Sequence, residues 1–277
     1  MVFRCVSQLA GTPVVRVVVV DNASRDGTAE AVERAYLDVD VLALPQEEGL
    51  ARAYNLGAER GSASLILFLN DDVLVDEQAV RALVTALDER PHAVAAAGRL
   101  VDAEDGTTQT EYLPQPFPTS RSLMAMLAGR RRPSPRLSET ETVVVDQPPG
   151  ACLLVRREAF QAVDGWDEDF EFWYEDVDLA RRLRAEGEVL YVPSVEIGHV
   201  GGHSASRLTR AQIVSRHYRG ALLYAHKHFR RSQRVLTGLV YAMTGAAKLV
   251  LSRDAESRRA YAGVLRSGLR VAVGRAP

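Results

Sequence analysis

Hydrophobic residues fall along this chain in two kinds of run. Short unbroken runs, Val14–Val20 (polar only at Arg16) and Leu65–Leu69, read as strands covered by helices on both faces. Longer stretches repeat every three or four residues, as Val80, Leu83, Val84 and Leu87 do over Asp76–Arg90, with Asp76 in the capping position. The first half continues this alternation. A helix over residues 3–10 stops at Gly11-Thr12-Pro13, a helix spans Ala29–Ala35, a strand Val39–Leu44 closes at Pro45, another helix opens at Gly49, and a strand covers Val94–Val101. Helix and strand in turn predict a doubly wound α/β layer.

Residues 102–142, rich in Pro, Thr, Ser and Gly, lose the pattern and read as a long loop of the lid or binding kind. Its basic run, Gly129–Arg136, reads as a solvated loop, with an anionic acceptor or lipid headgroup as the second reading. Order returns with strands at Thr142–Val145 and within Pro149–Arg157, a short helix Glu158–Val163, an amphipathic helix through Leu179 and Leu183 to Gly187, and a strand Val189–Val192. Beyond residue 206 the chain reads as helices, including Tyr218–His228. The run Val235–Leu251 is broken by Thr237, Gly238, Thr244, Gly245 and Lys248. It therefore reads as short of the ~20 apolar residues of a membrane span, and suits a membrane surface or core packing equally.

Chemistry concentrates at the ends of these elements. The strand Leu65–Leu69 runs into Asn70-Asp71-Asp72, and Val14–Val20 into Asp21. In α/β sheets ligands bind beyond the carboxyl ends of strands, so these acids suit a metal or a phosphorylated ligand, or they serve the next helix as caps. Asp26 and Thr28 read as caps. Arg52 and Asn55, three apart, share one side of a helix and read as a solvated face or as a diphosphate contact. The densest acidic segment, Gly165–Leu179, interleaves carboxylates with Trp166, Phe170, Phe172, Trp173 and Tyr174. Rings suit the apolar faces of sugars and a carboxylate suits proton abstraction, while plain core packing explains the rings as well. His199 lies in a glycine-rich turn after a strand.

Composition narrows the classes. A net charge of -2 over 277 residues offers no basic field for nucleic acid. The two cysteines, Cys5 and Cys152, lack metal-ligand spacing and suit a reducing compartment. Met1–Ala10 is too brief for a secretory signal.

Taken together, Val20–Thr28, Gly49–Gly57, Leu69–Val73, Pro149–Arg157 and the Gly165–Phe170 and Glu175–Leu179 segments resemble the family 2 glycosyltransferases, in particular rhamnosyltransferase-like members, over about residues 4–230. The resemblance implies a GT-A fold with a mixed, mostly parallel central sheet flanked by helices and a C-terminal helical extension. It divides the chain into a nucleotide-sugar-binding half at 1–113, an acceptor-binding half with the catalytic acids at 114–205, and C-terminal helices at 206–277. It implies an inverting, metal-dependent transfer of a sugar, rhamnose being the candidate, from a dTDP or UDP donor to a cell-envelope glycan or lipid-linked acceptor. By the same resemblance Asp21 holds the nucleotide base, Arg52, Asn55 and Asp71 contact the nucleotide-sugar, Asp72 and His199 hold Mg or Mn, and Asp176 with Glu175 forms the catalytic base.

One departure stands out. The family begins with a central strand, whereas this sequence starts at the helix that should follow it, so a gap with unpaired backbone is expected between central strands. A catalytically inactive sugar-nucleotide-binding or scaffolding protein is therefore the alternative, and a metal-dependent nucleotide hydrolase a third. The expected location is the cytoplasm, with peripheral contact at the inner face of the membrane left open by the last helices.

Overall fold

The unbroken apolar run Leu65–Leu69 is a strand, and it ends the path of a six-stranded sheet. A computed structural model of the chain describes residues 1–12, 15–130, 137–201 and 208–277. These fall into two units: Met1–Pro116, Ser134–Glu168 and Leu179–Gly201 in the first, and Phe117–Pro133, Asp169–Asp178 and Gly202–Pro277 in the second. In chain order the elements are α1 (Val2–Leu9), β1 (Val18–Asp21), α2 (Thr28–Ala35), β2 (Asp40–Ala43), α3 (Leu50–Glu59), β3 (Leu65–Leu69), β4 (Val73–Leu74), α4 (Glu77–Asp88), β5 (Ala93–Asp102), α5 (Ser120–Leu127), β6 (Val143–Val144), β7 (Cys152–Arg156), α6 (Arg157–Ala162), α7 (Glu175–Glu186), β8 (Glu188–His199), α8 (Arg210–His228), α9 (Arg231–Leu251) and α10 (Ala255–Ala272).

In the first unit the larger sheet runs β3-β7-β5-β8-β4, with β6 beside β8. Two-faced burial explains the unbroken apolar strands. Leu65, Leu67 and Leu69 of β3 and Cys152 and Leu154 of β7 enter one core with Leu83 and Leu87 of α4. The alternate residues Ile66, Phe68, Leu153 and Val155 enter a second core with Ala51 and Ala58 of α3 and Leu179 and Leu183 of α7. The α/β class and mixed sheet are as expected. The balance is not mostly parallel: among the described residues β5–β8 and β1–β2 pair in parallel, while β3–β7, β5–β7, β4–β8 and β6–β8 are antiparallel. The reason is β7, which inserts between β3 and β5 in the opposite direction. Arg156 and Arg157 just beyond it donate to the carbonyls of Leu87 and Ala58, closing the last turns of α4 and α3.

Pairing is interrupted between two sheets. β1 and β2 form a separate parallel pair, so β1 and β3 each present one edge with no strand partner among the described residues.

Four expectations change. The first strand is shorter than Val14–Val20, and Val14 lies outside the described residues. The stretch 102–142 is not one long loop, because α5 forms there behind a Thr119 capping box. The last strand does not stop at Val192. It runs to His199, because a register shift opposite Gly98 and Arg99 absorbs Pro193 and its neighbours as a bulge. Finally α9, at 21 residues, is long and apolar enough to cross a membrane by length and composition. Four of its interruptions are Gly or Thr, which a helix accommodates, and Lys248 lies near its end. Most of the basic run Gly129–Arg136, from 131 onward, lies outside the described residues, as does His203.

In the second unit, α5 and α8–α10 enclose a core of Leu123, Phe170, Tyr174, Leu222, Tyr224, Tyr241 and Val264.

Candidate active site

The strand tip of the first unit comes first. Beyond β3 the chain turns at Asp71 and Asp72 and enters β4, whose register pairs Val73 with His199. That register places Asp72 beside the histidine ring, with Asp72 Oδ1 3.5 Å from His199 Nε2. Asp71 is exposed, while Asp72 and His199 are buried at 5% and 3% exposure. Two adjacent acids thus face different surroundings.

Gln109 fixes the histidine. Its Nε2 donates to the His199 carbonyl at 2.9 Å, which leaves Oε1 to face His199 Nδ1 at 2.7 Å. An amide oxygen only accepts, so Nδ1 carries a proton and Nε2 is the atom turned to the carboxylate. Tyr112 packs edge-on against the ring at 4.9 Å. An imidazole nitrogen facing a carboxylate is satisfied by a shared proton or by a cation. A divalent metal accepts both donor types, so Asp72 and His199 fit one as a pair. Among the described residues no group of three or more His, Cys, Asp or Glu assembles, which leaves further coordination to water and ligand oxygens. The acids also act on their surroundings: burial, then the charges of Asp71 and Asp72, push the Cys5 thiol up to about 11. Cys5 and Cys152 are both free thiols.

A second cluster forms around α3. Asn55 uses its whole amide within the protein. Oδ1 accepts from Trp166 N at 2.9 Å, and Nδ2 donates to Trp166 O and Glu168 Oε1 at 2.9 and 3.0 Å. Gly165 makes this approach possible, because its φ is +70° and a Cβ would stand 2.7 Å from Asn55 Oδ1. Arg52 bonds Glu168 at 3.0 Å and Glu48 at 3.2 Å. The Asn55 amide, followed by the Arg52 bond and charge, holds Glu168 below the usual carboxylate range. Tyr54, stacked near Trp166, donates to Asn70 Oδ1 at 2.8 Å and steadies the tip of β3. Asp21, at the end of β1, receives Ser24 N and Oγ at 2.7 and 2.5 Å and shapes the following loop. Asp26 accepts from Thr28 N at 3.1 Å in a local turn before α2, whose cap is Gly27 without a side-chain bond, so the capping role expected of Asp26 or Thr28 is not taken up.

The remaining two candidates, Glu175 and Asp176, belong to the second unit and open α7. Trp173 and Tyr174 before them hold φ of 67° and 73°, left-handed values that bulky residues rarely adopt. That turn sends the chain into the helix at once, leaving Glu175 buried and Asp176 half-buried in its first turn. The structure sorts the neighbouring acids. Asp169 pairs with Lys227 at 2.6 Å, Glu171 with Arg219, and Asp178 with His228 Nε2 at 2.6 Å. Glu175 Oε2 is buried without a hydrogen bond among the described residues. Burial first, then the charge of Asp176, pushes Glu175 up to about 8, so it is mostly protonated at neutral pH.

The structure therefore joins Asp72 to His199 and Arg52 to Asn55 through Glu168, and places Asp21, and Glu175 with Asp176, in settings of their own. Reading the sequence missed Gln109, Glu168 and Tyr54. Glu168 and Tyr54 lie inside quoted motifs and could have been singled out. Gln109 lies in a stretch without periodicity and gave no signal.

Comparison with known proteins shows the family and the fold. The profile described as Glycosyl transferase family 2 matches residues 2–163. The N-acetylglucosaminyl-diphospho-decaprenol L-rhamnosyltransferase of Mycobacterium tuberculosis is 30% identical over 241 residues, covering 77% of this chain and 76% of that protein. Among solved structures, GalNAc-T7 with UDP, GalNAc and Mn2+ superposes with a TM-score of 0.62 at 15% identity, over 92% of this chain and 50% of that one. The S. aureus TarS 1-349 complex with UDP-GlcNAc gives 0.59 at 14% identity, over 100% and 78%. At such identities these structures establish a shared fold.

Proposed function

Because this chain belongs to glycosyl transferase family 2, we propose that it is an inverting transferase moving a sugar, rhamnose being the candidate, from a nucleoside-diphosphate donor to a cell-envelope glycan or lipid-linked acceptor. In this reading residues 1–113 handle the donor and 114–205 the acceptor. The observation that carries it is the Asp72 carboxylate held 3.5 Å from an imidazole nitrogen at the carboxyl end of a buried strand, with the other nitrogen locked by Gln109.

Asp72 and His199 would hold a divalent cation, Mg or Mn, which when bound neutralises charge on a leaving diphosphate. Asp71, exposed beside them, is placed to meet the sugar-nucleotide, and Asp21 the base. Arg52 and Asn55 act through Glu168, fixing the segment that follows Gly165. The acceptor oxygen bonds to the anomeric carbon as the bond from that carbon to the diphosphate oxygen breaks, and Asp176 takes the hydroxyl proton. A protonated Glu175 leaves the negative charge of that pair on Asp176, the form a base requires. The relative's printed activity supports rhamnose and a lipid-diphosphate acceptor, and the nucleotides named with the neighbouring structures support a UDP-type donor.

The test is turnover of dTDP- and UDP-sugars with Mn2+ or Mg2+ in the presence of a diphospholipid-linked acceptor. Metal-dependent release of nucleoside diphosphate that requires the acceptor supports transfer; equal release without acceptor supports a hydrolase instead. The second reading, a sugar-nucleotide-binding scaffold, predicts donor binding by calorimetry with no release under either metal.

A further inference from the structure

The C-terminal helices of the second unit differ from the rest of the chain in charge. Residues 230–277 hold ten of the 34 basic residues and two of the 36 acidic ones, an excess of eight positive charges in a chain whose total is -2. All ten except Arg234 are exposed.

α9 carries no charged side chain between Arg234 and Lys248. One side of it is committed. Thr237, Gly238, Tyr241, Ala242 and Gly245 are buried, and α10 approaches so closely that a Cβ on Gly238 or Gly245 would stand 2.6 Å from Gly268 O or Leu265 N. The other side is bare and apolar. Leu236, Leu239, Met243, Val250 and Leu251 follow helical spacing and are 50%, 44%, 63%, 80% and 76% exposed. α10 adds Leu269 and Val273, 49% and 74% exposed. Arg259, Arg266 and Arg270 lie along one line of α10 at i, i+7 and i+11.

We propose that the bare side of α9 docks on an anionic lipid surface, with α9 lying in the plane of the interface and the exposed Arg231, Lys248 and Arg253 at its two ends. Apolar side chains with cations beside them are the pattern of an interfacial helix. Each cation near an anionic leaflet adds to the attraction. α9 has the length to span, but a spanning helix here would carry the arginine line of α10 into hydrocarbon. A second copy of the chain on the same face would bring two clusters of like charge together.

Co-sedimentation of the full chain with vesicles tests this. Binding is expected to phosphatidylglycerol:phosphatidylcholine vesicles, at least ~10-fold weaker to phosphatidylcholine alone, and to fall with added salt. Leu239→Glu/Met243→Glu, at exposed positions and verified by circular dichroism, should lose at least ~10-fold in binding, since it sets two charges against the acyl region. Arg231→Gln/Lys248→Gln/Arg253→Gln should lose the preference for the anionic lipid. Absence of binding to either vesicle, equal binding to both, or full binding by the double Glu variant would overturn the proposal. So would a concentration-dependent dimer abolished by that variant, which would assign the face to a second copy. Asp72→Ala should bind vesicles as the unchanged chain does, so a failure here is separable from a failure of the transferase reading.

Discussion

Two acidic sites, the tip of β3 and the head of α7, use the same side-chain chemistry in opposite ways. At the strand tip, pairing of Val73 with His199 and the clasp of Gln109 set an imidazole nitrogen 3.5 Å from the buried Asp72 carboxylate. At the helix head, two left-handed residues drive Glu175 into an apolar setting where Oε2 finds no hydrogen bond, and the proton stays on. A buried carboxylate is a charge or a neutral acid according to what faces it.

The sharpest way to break this comparison is at the helix head. Asp176→Asn should lower transfer by about 10²–10⁴-fold with donor binding retained, the range for removing a general base; a near-normal rate would move the base elsewhere. At the strand tip, Asp72→Ala should cost roughly 10²–10³-fold, as for loss of a group that stabilises developing charge, and should abolish the response to added Mn2+. Gln109→Leu removes the acceptor for His199 Nδ1 and should weaken Mn2+ binding by about 10–100-fold in a titration, with the fold unchanged by circular dichroism.

The remaining effect concerns Glu175 and stability. Its folded value of about 8 lies above the ordinary 4.5, so between these the folded chain holds a proton that the unfolded chain has released. The contribution is complete below about pH 4.5 and is lost as pH rises toward 8. Urea midpoints should therefore fall between pH 5 and pH 8, and Glu175→Gln should flatten that decline by on the order of 3–4 kcal/mol. An unchanged slope in the variant would show that Glu175 is ionised in the fold.

Much of this was legible beforehand where the cause was local. The apolar run of β3, the Asp76 cap of α4, whose side chain accepts from Ala79 N, and the acids at strand ends all follow from neighbours in sequence. The family likeness came from several short motifs in order. β8 was read as ending at Val192, because Pro193 reads as a stop when the bulge that absorbs it lies on another strand. α5 was hidden among loop-like residues because its stability comes from packing Leu123 on distant helices.

By itself the sequence determined most of the helices and strands, which acids stand at element ends, and to which family the chain belongs, since spacing and capping act over a few residues. Only the tertiary structure decided that Asp72 has an imidazole for a neighbour, that Asn55 and Arg52 spend their donors on Trp166 and Glu168, and that one side of α9 is left bare. Those outcomes depend on strand register and helix packing between segments tens of residues apart, and no local pattern encodes them.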